Sequence, residues 1–260
     1  MKDKIDVQSL KDKRNIAIDR VGVKNVLYPI IVDDRENKFQ HTVANIDIFV
    51  DLPHHHRGTH MSRFIEVLNR FHQETFVSNL EKFAKEIKKS LNADSSYAII
   101  RFPYFIKKKA PVTKIESLLS YNCYFEVSMT DTFSLIIGTE VPVTTLCPCS
   151  KEVSDYGAHN QRSIVTVKVK ADEFIWIEEI IELVENSASC EIYSLLKRAD
   201  EKYVTEKAYD NPRFVEDIVR EVTLKLQADS RIKGFTVESE NFESIHNHNA
   251  YACVKRNFNM

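Results

Sequence analysis

The chain has 260 residues, 43% apolar and 28% charged, with 36 Lys and Arg against 38 Asp and Glu for a formal net charge of -2. It is too apolar for a disordered chain and too evenly charged for a dedicated nucleic-acid binder, which carries a basic footprint. No apolar run approaches the ~18 residues of a membrane span, and the polar start Met1-Lys2-Asp3-Lys4-Ile5-Asp6 lacks the apolar core of a signal peptide.

After an N-terminal arm, 1–20, an extended stretch around Val26 to Val32 precedes the alternating run Ala44, Ile46, Ile48, Val50 and Leu52, and can pair with it. A helical pattern opens at Ser62 with Phe64, Ile65, Leu68 and Phe71. A second stripe follows at Val77, Leu80, Phe83, Ala84, Ile87 and Leu91, spaced three and four apart. Ser96 to Phe105 and Tyr121 to Met129 read as two further strands. The order then repeats. Thr132 to Val143 and Ser163 to Val169 predict strands, and Trp176 to Ala188 predicts a helix. Lys197 to Lys207 is charged and without period, a solvated loop unless it delivers Glu201 to a metal and cations to a polyphosphate. Asn211-Pro212 predicts a helix start, continued by Phe214, Ile218, Val222 and Leu226. Lys233 to Ser239 and His246 to Val254 close the chain as strands. The fold expected is α+β, two tandem ββααββ units over 21–130 and 131–260, each with helices on one face of an antiparallel sheet. The other face and the edges need cover, which oligomerisation can supply.

Glycine is scarce, 5 residues in all, and Gly22, Gly58, Gly138, Gly157 and Gly234 stand far apart. Neither a dinucleotide fingerprint nor a P-loop can be written, so a bound phosphate would be held by side chains. The odd count of five cysteines, Cys123, Cys147, Cys149, Cys190 and Cys253, without a secretory signal, reads as reduced thiols. The cytoplasm is therefore the expected compartment.

Nine histidines include the run His54-His55-His56, which leads through Arg57 to His60. This is either a solvated loop or a cationic one, with Arg57, His60 and Arg63 meeting an anion near the helix that follows. Cys147 and Cys149 share one side only if the backbone between them is extended; alone they are ordinary small apolar residues. Ten residues on, His159 sits in a polar loop. A thiolate, an imidazole and one carboxylate make a three-ligand site with a position open for water. Near the C-terminus His246 and His248 share a face if they lie on a strand. Glu243 has the wrong parity and needs a turn or bulge near Ser244 to join them.

Five segments, Gly58 to Phe64, Cys147 to Glu152, Tyr156 to Ser163, Glu201 to Tyr209 and Glu238 to His248, together resemble the type IB GTP cyclohydrolases, bacterial enzymes of folate synthesis. The likeness runs from about Val7 to Tyr251. It implies a tunnelling fold whose ββααββ units form barrels on oligomerisation, and a homotetramer with active sites at subunit interfaces. It also implies conversion of GTP and water to 7,8-dihydroneopterin triphosphate and formate. By the family pattern Cys147, His159 and Glu201 hold a divalent metal, with zinc, manganese or iron(II) all suiting that donor set. Glu243 anchors guanine, and His246 and His248 lie beside the reacting ring, with Cys147 and Cys149 at the same centre. His60, Arg63 and Lys202 are candidates for the triphosphate. Glu216 is a further substrate-binding carboxylate and an alternative to Glu201. Two rival readings stay open: an archaeal-type enzyme giving a cyclic phosphate, and a metal-stabilised ligand-binding assembly without turnover.

Overall fold

The structure, a computed structural model, describes residues 11–71 and 76–258. His72 and the first ten residues of the expected arm lie outside the described residues. The elements in chain order are β1 (Ile18–Asp34), β2 (Lys38–Leu52), α1 (Met61–Arg70), α2 (Phe76–Leu91), β3 (Ser96–Lys109) and β4 (Glu116–Met129). They continue with β5 (Phe133–Leu146), α3 (Pro148–Val153), β6 (Asn160–Ala171), α4 (Ile177–Glu185), β7 (Cys190–Glu191), α5 (Arg198–Asp210), α6 (Val215–Ala228), β8 (Ile232–Asn241) and β9 (Ala250–Arg256). Apart from the inserted α3, β7 and α5, the doubled ββααββ order is present.

Contacts divide the chain into two compact units. The first holds the described residues up to Phe102 together with Tyr124–Ile136; the second holds Pro103–Cys123 and the chain from Ile137 onward. Residues 103–123 thus group with the second unit, across the division anticipated at 130. Length explains this. A 14-residue strand spans about 46 Å, whereas a 16-residue helix such as α2 covers about 24 Å.

In the first unit β1 and β2 form a long antiparallel hairpin, and β3 pairs with the other edge of β2. On β2 the even positions Ala44, Ile46, Ile48 and Val50 are buried. The helices cover this face with Phe64, Val67 and Leu68 from α1 and Leu80, Phe83, Ala84 and Ile87 from α2. Full burial of each large side chain contributes about 1.5–3 kcal/mol. Gly22 is required by close approach, since a Cβ there would stand 1.9 Å from the Ile48 carbonyl oxygen. On the opposite face Leu27, Phe39 and Val43 are exposed.

In the second unit β8 runs antiparallel between β6 and β9, and α6 packs on β8 and β9 with α4 beside it. The outer half of the β3–β4 hairpin is fixed here by polar contacts. The Tyr104 hydroxyl donates to Glu178 Oε1 at 2.6 Å, and Lys108 Nζ pairs with Glu185 Oε1 at 2.7 Å. At the hairpin tip the buried Asp200 carboxylate accepts from Val112 N, Thr113 N and Thr113 Oγ1. Burial alone would raise the Asp200 pKa, but these donors hold it well below the usual carboxylate range.

Three local expectations need correction. Lys197 to Lys207 is helix, not loop. α5 buries only Asp200 and Ala208, so it carries no apolar stripe. Its first turn is capped from inside instead, Lys197 N donating to Asp200 Oδ2 at 3.0 Å. The next helix starts at Val215 with Phe214 as N-cap. Asn211 ends α5 instead, and its side-chain amide donates to Ala188 O at 2.8 Å. Finally, the β8–β9 ladder stops at the pair Asn241 and Ala250, which leaves His246 and His248 in the connecting loop and not on a strand face.

Candidate functional site

The site grows from the end of β5. Leu146 N donates to the buried Ser189 Oγ at 3.1 Å. Cys147 follows with extended backbone, φ -68° and ψ 118°, and Pro148 then starts α3 at its first position, where a missing N–H costs nothing. Cys147 N donates to His159 O at 3.1 Å, which closes the excursion from β5 to β6. Ser150 ties the two together: its N–H points at Cys147 Sγ (3.4 Å), its hydroxyl donates to Cys147 O (3.1 Å), and it accepts from His159 N (3.2 Å). Cys147 is half-buried and Cys149 exposed. Because the chain turns helical at Pro148, the extended geometry that would align both thiols is not formed.

The His159 side chain is 15% exposed. Its Nδ1 lies 3.1 Å from Gln161 Oε1 and 3.4 Å from Ser244 Oγ, with Glu243 Oε2 at 4.0 Å. Glu243 reaches this point because Phe242 N donates to Arg162 O at 3.0 Å, extending the ladder one step before the chain bends at Ser244. The chain does bend near Ser244, but the bend carries Glu243 to His159 and not to a strand face shared with His246 and His248, which lie in the loop. His246 and His248 follow on the exposed loop with rings stacked, centroids 5.1 Å apart and 17° between planes.

The remaining expected residues stand elsewhere. Glu201 ends the first turn of α5 and Lys202 follows it, both exposed, and Lys202 pairs with Glu206 at 3.4 Å. Glu216 lies exposed in the first turn of α6. In the first unit His60 is the N-cap residue of α1, and the Arg63 guanidinium reaches Ser90 O at 3.4 Å. There they line a cavity of about 190 Å³ with Asp51, His56, Thr59 and Asn92. His54 and His55 are exposed. Among the described residues no group of three or more His, Cys, Asp and Glu is placed to hold a metal ion. Cys147 and His159 supply two suitable donors, but Glu201 does not complete a trio with them in one chain. The fit to a divalent cation is therefore partial among the described residues.

A second polar cluster joins β7 to α5. Glu191 accepts from Lys207 Nζ and from the Tyr193 hydroxyl. Burial raises its pKa, but these two donors prevail and hold it at about 2. Burial and the Glu191 charge push the Cys190 thiol up to about 12, and burial likewise raises the Cys123 thiol. Neither forms a reactive thiolate near neutral pH. Ser150, Gln161 and Ser244 had no assigned role in the sequence. Gln161 was accessible in principle, since it shares parity with His159, but only if β6 is started at Asn160 and not at Ser163.

With 10% sequence identity, 93% of this chain and 94% of uricase from Arthrobacter globiformis superpose with a TM-score of 0.52. The fold is thus of the tunnelling class, α+β with antiparallel sheet, and that likeness speaks of fold alone. Residues 5–252 match the family model described as type I GTP cyclohydrolase folE2. The chain is 57% identical over 251 residues to GTP cyclohydrolase FolE2 of Geotalea uraniireducens (strain Rf4), covering 96% of this chain and 93% of that one. It is 55% identical to GTP cyclohydrolase FolE2 of Geobacter sulfurreducens, covering 96% and 97%. The chain belongs to the type I GTP cyclohydrolase FolE2 family. FolE2 is the name these relatives carry, where the motif resemblance gave type IB.

Proposed function

We propose that this chain converts GTP and water to 7,8-dihydroneopterin triphosphate and formate, the first step of folate synthesis. The observation that carries this reading is that the His159 ring meets Glu243 and Ser244, with Cys147 tied to the His159 backbone through Ser150, within a chain more than half identical to FolE2 enzymes along nearly its whole length. Opening the imidazole ring of guanine needs water added at C8 and protons delivered to ring nitrogens. Histidine titrates in the range for such transfers, and His246 and His248 are the exposed imidazoles that take that role. Glu243 offers two acceptor oxygens to the adjacent N1–H and 2-amino group of guanine, a bidentate match. His60, Arg63 and Lys202 are the side chains we assign to the triphosphate in place of a glycine loop, and Glu216 adds a substrate-binding carboxylate.

A divalent metal (zinc, manganese or iron(II)) remains part of the proposal, with Cys147 and His159 as its first ligands and Glu201 as the third. Such an ion lowers the pKa of bound water to about 7. Because one chain does not gather the third donor among its described residues, we place the complete site in a homo-oligomer, a homotetramer of the type IB kind. The compartment proposed is the cytoplasm; among the described residues no helix is long and apolar enough to cross a membrane. Neither nucleic acid nor a lipid surface enters as a partner. Product analysis tests the reading. A pterin carrying all three phosphates with one equivalent of formate supports it. A cyclic phosphate product redirects it to the archaeal type, and metal or GTP binding without turnover leaves a ligand-binding assembly.

A further inference from the structure

Behind His159 lies a layer of polar side chains with no part in the function described so far. Gln161 is buried, and Thr145 and Ser163 are fully so. Their hydroxyl oxygens are 2.8 Å apart, and Gln161 Nε2 lies 2.8 Å from Thr145 Oγ1. The amide's other end, Oε1, faces His159 Nδ1 at 3.1 Å. An amide nitrogen only donates and an amide oxygen only accepts, whereas each hydroxyl does both. The row Ser163, Thr145, Gln161, His159 can therefore be satisfied in two senses. In one, Gln161 Nε2 donates to Thr145, Thr145 donates to Ser163, and Oε1 accepts a proton carried on His159 Nδ1. In the other, the amide is turned over, all donors reverse, and Nδ1 presents a lone pair.

Glu243, standing beyond hydrogen-bond distance, adds a bias towards the first sense. Its carboxylate, an acceptor without a donor, stands 4.0 Å from the same Nδ1. A lone pair on Nδ1 would face that negative charge, whereas an N–H would be attracted to it. The Ser244 hydroxyl at 3.4 Å is compatible with either sense. Leaving a buried amide end without its partner forfeits a hydrogen bond and leaves its desolvation uncompensated, which biases the tautomeric equilibrium.

We propose that Gln161 is a positioning residue that locks His159 as its Nδ1–H tautomer, so that Nε2 keeps the lone pair. It acts through an amide whose own orientation is fixed by Thr145 and Ser163. What this does for catalysis rests on the proposal that His159 belongs to the reaction site. The tautomer itself does not rest on it.

The test is nitrogen NMR of the full-length protein with labelled histidine, treated with chelator and held at a pH where imidazoles are neutral. His159 is expected to show a protonated Nδ1 and an unprotonated Nε2. In Gln161→Leu, which removes the acceptor with little change in volume, the two tautomers should mix. Gln161→Glu restores an acceptor towards Nδ1, while Thr145 can donate to its second oxygen, so the Nδ1–H form should return. The spectra of the other histidines report whether each variant is folded. Kinetically, Gln161→Leu should lower kcat about 10- to 100-fold with KM for GTP little changed, and Gln161→Glu should recover most of that loss. A pure Nδ1–H signal in Gln161→Leu, or an Nε2–H signal in the native protein, overturns the proposal. If the tautomer behaves as stated but no variant affects formate release, the lock stands and the assignment of His159 to the reaction fails.

Discussion

Two thiols separated by one residue serve one site only when the backbone between them is extended. Pro148 opens α3 directly after Cys147, so Cys147 stays beside His159 while Cys149 turns to solvent. Cys147→Ala should therefore lose both bound metal and formate release while remaining folded. Cys149→Ala should retain metal and lose activity only in part. Elemental analysis beside turnover checks this, and the reverse pattern would assign the ligand to Cys149. For Glu243, Glu243→Gln keeps shape but loses charge and one acceptor. We expect a loss of about 1.5–3 kcal/mol, or about 10- to 150-fold in kcat/KM for GTP, and a reduced preference for GTP over ITP, which lacks the 2-amino group. An unchanged preference removes Glu243 from reading the base. Cys147, His159 and Glu243 stood out through the motifs that carry the family resemblance, since a cysteine pair alone is ordinary apolar packing. Ser150 and Gln161 did not, because a serine or glutamine gains its role only from what the fold sets within 3 Å or so of it.

At the scale of elements, strands and stripe-bearing helices could be read from periodicity, and α5 could not. Its start has Lys197 where a capping residue is expected, and its acid at the third position, Asp200, faces inward to hold the hairpin tip. α4 and α6 use the same internal device, Glu179 and Asp217 accepting from the N–H of Trp176 and Phe214. The loop between β8 and β9 escaped for the opposite reason, since alternation continues through His246 and His248 although no partner strand pairs with them. α5 is joined to β7 by Lys207 and Glu191, and this contact makes a pH prediction. With the Glu191 pKa held at about 2 against an ordinary 4.5, the ionised form is favoured by folding. Its stabilisation is complete above pH 4.5 and is lost as pH falls towards 2. Denaturant titrations should show the stability gap between the native chain and Glu191→Gln constant above pH 4.5 and narrowing below it. A gap that persists unchanged to pH 2 would mean the pair contributes nothing through charge.

For the whole molecule, the sheet face opposite α1 and α2 is the least finished part of a single chain. Leu27, Phe39 and Val43 are 72%, 51% and 55% exposed there, an apolar face that a partner surface would cover. Together with the proposed metal site, whose three ligands are not gathered among the described residues, this predicts that activity depends on assembly. Dilution until the oligomer dissociates should abolish turnover, and a fully active monomer would contradict it. The doubled plan was visible in the sequence because each half repeats its periodicities. The placement of residues 103–123 was not, because no local signal tells how far a hairpin outruns the helices above it. The most direct measurement of the account as a whole is the fate of the guanine C8 carbon. With GTP labelled at C8, the account predicts labelled formate in one-to-one yield with an unlabelled pterin that keeps all three phosphates. Label retained in an intact purine, under conditions where the folded assembly is present, would contradict it.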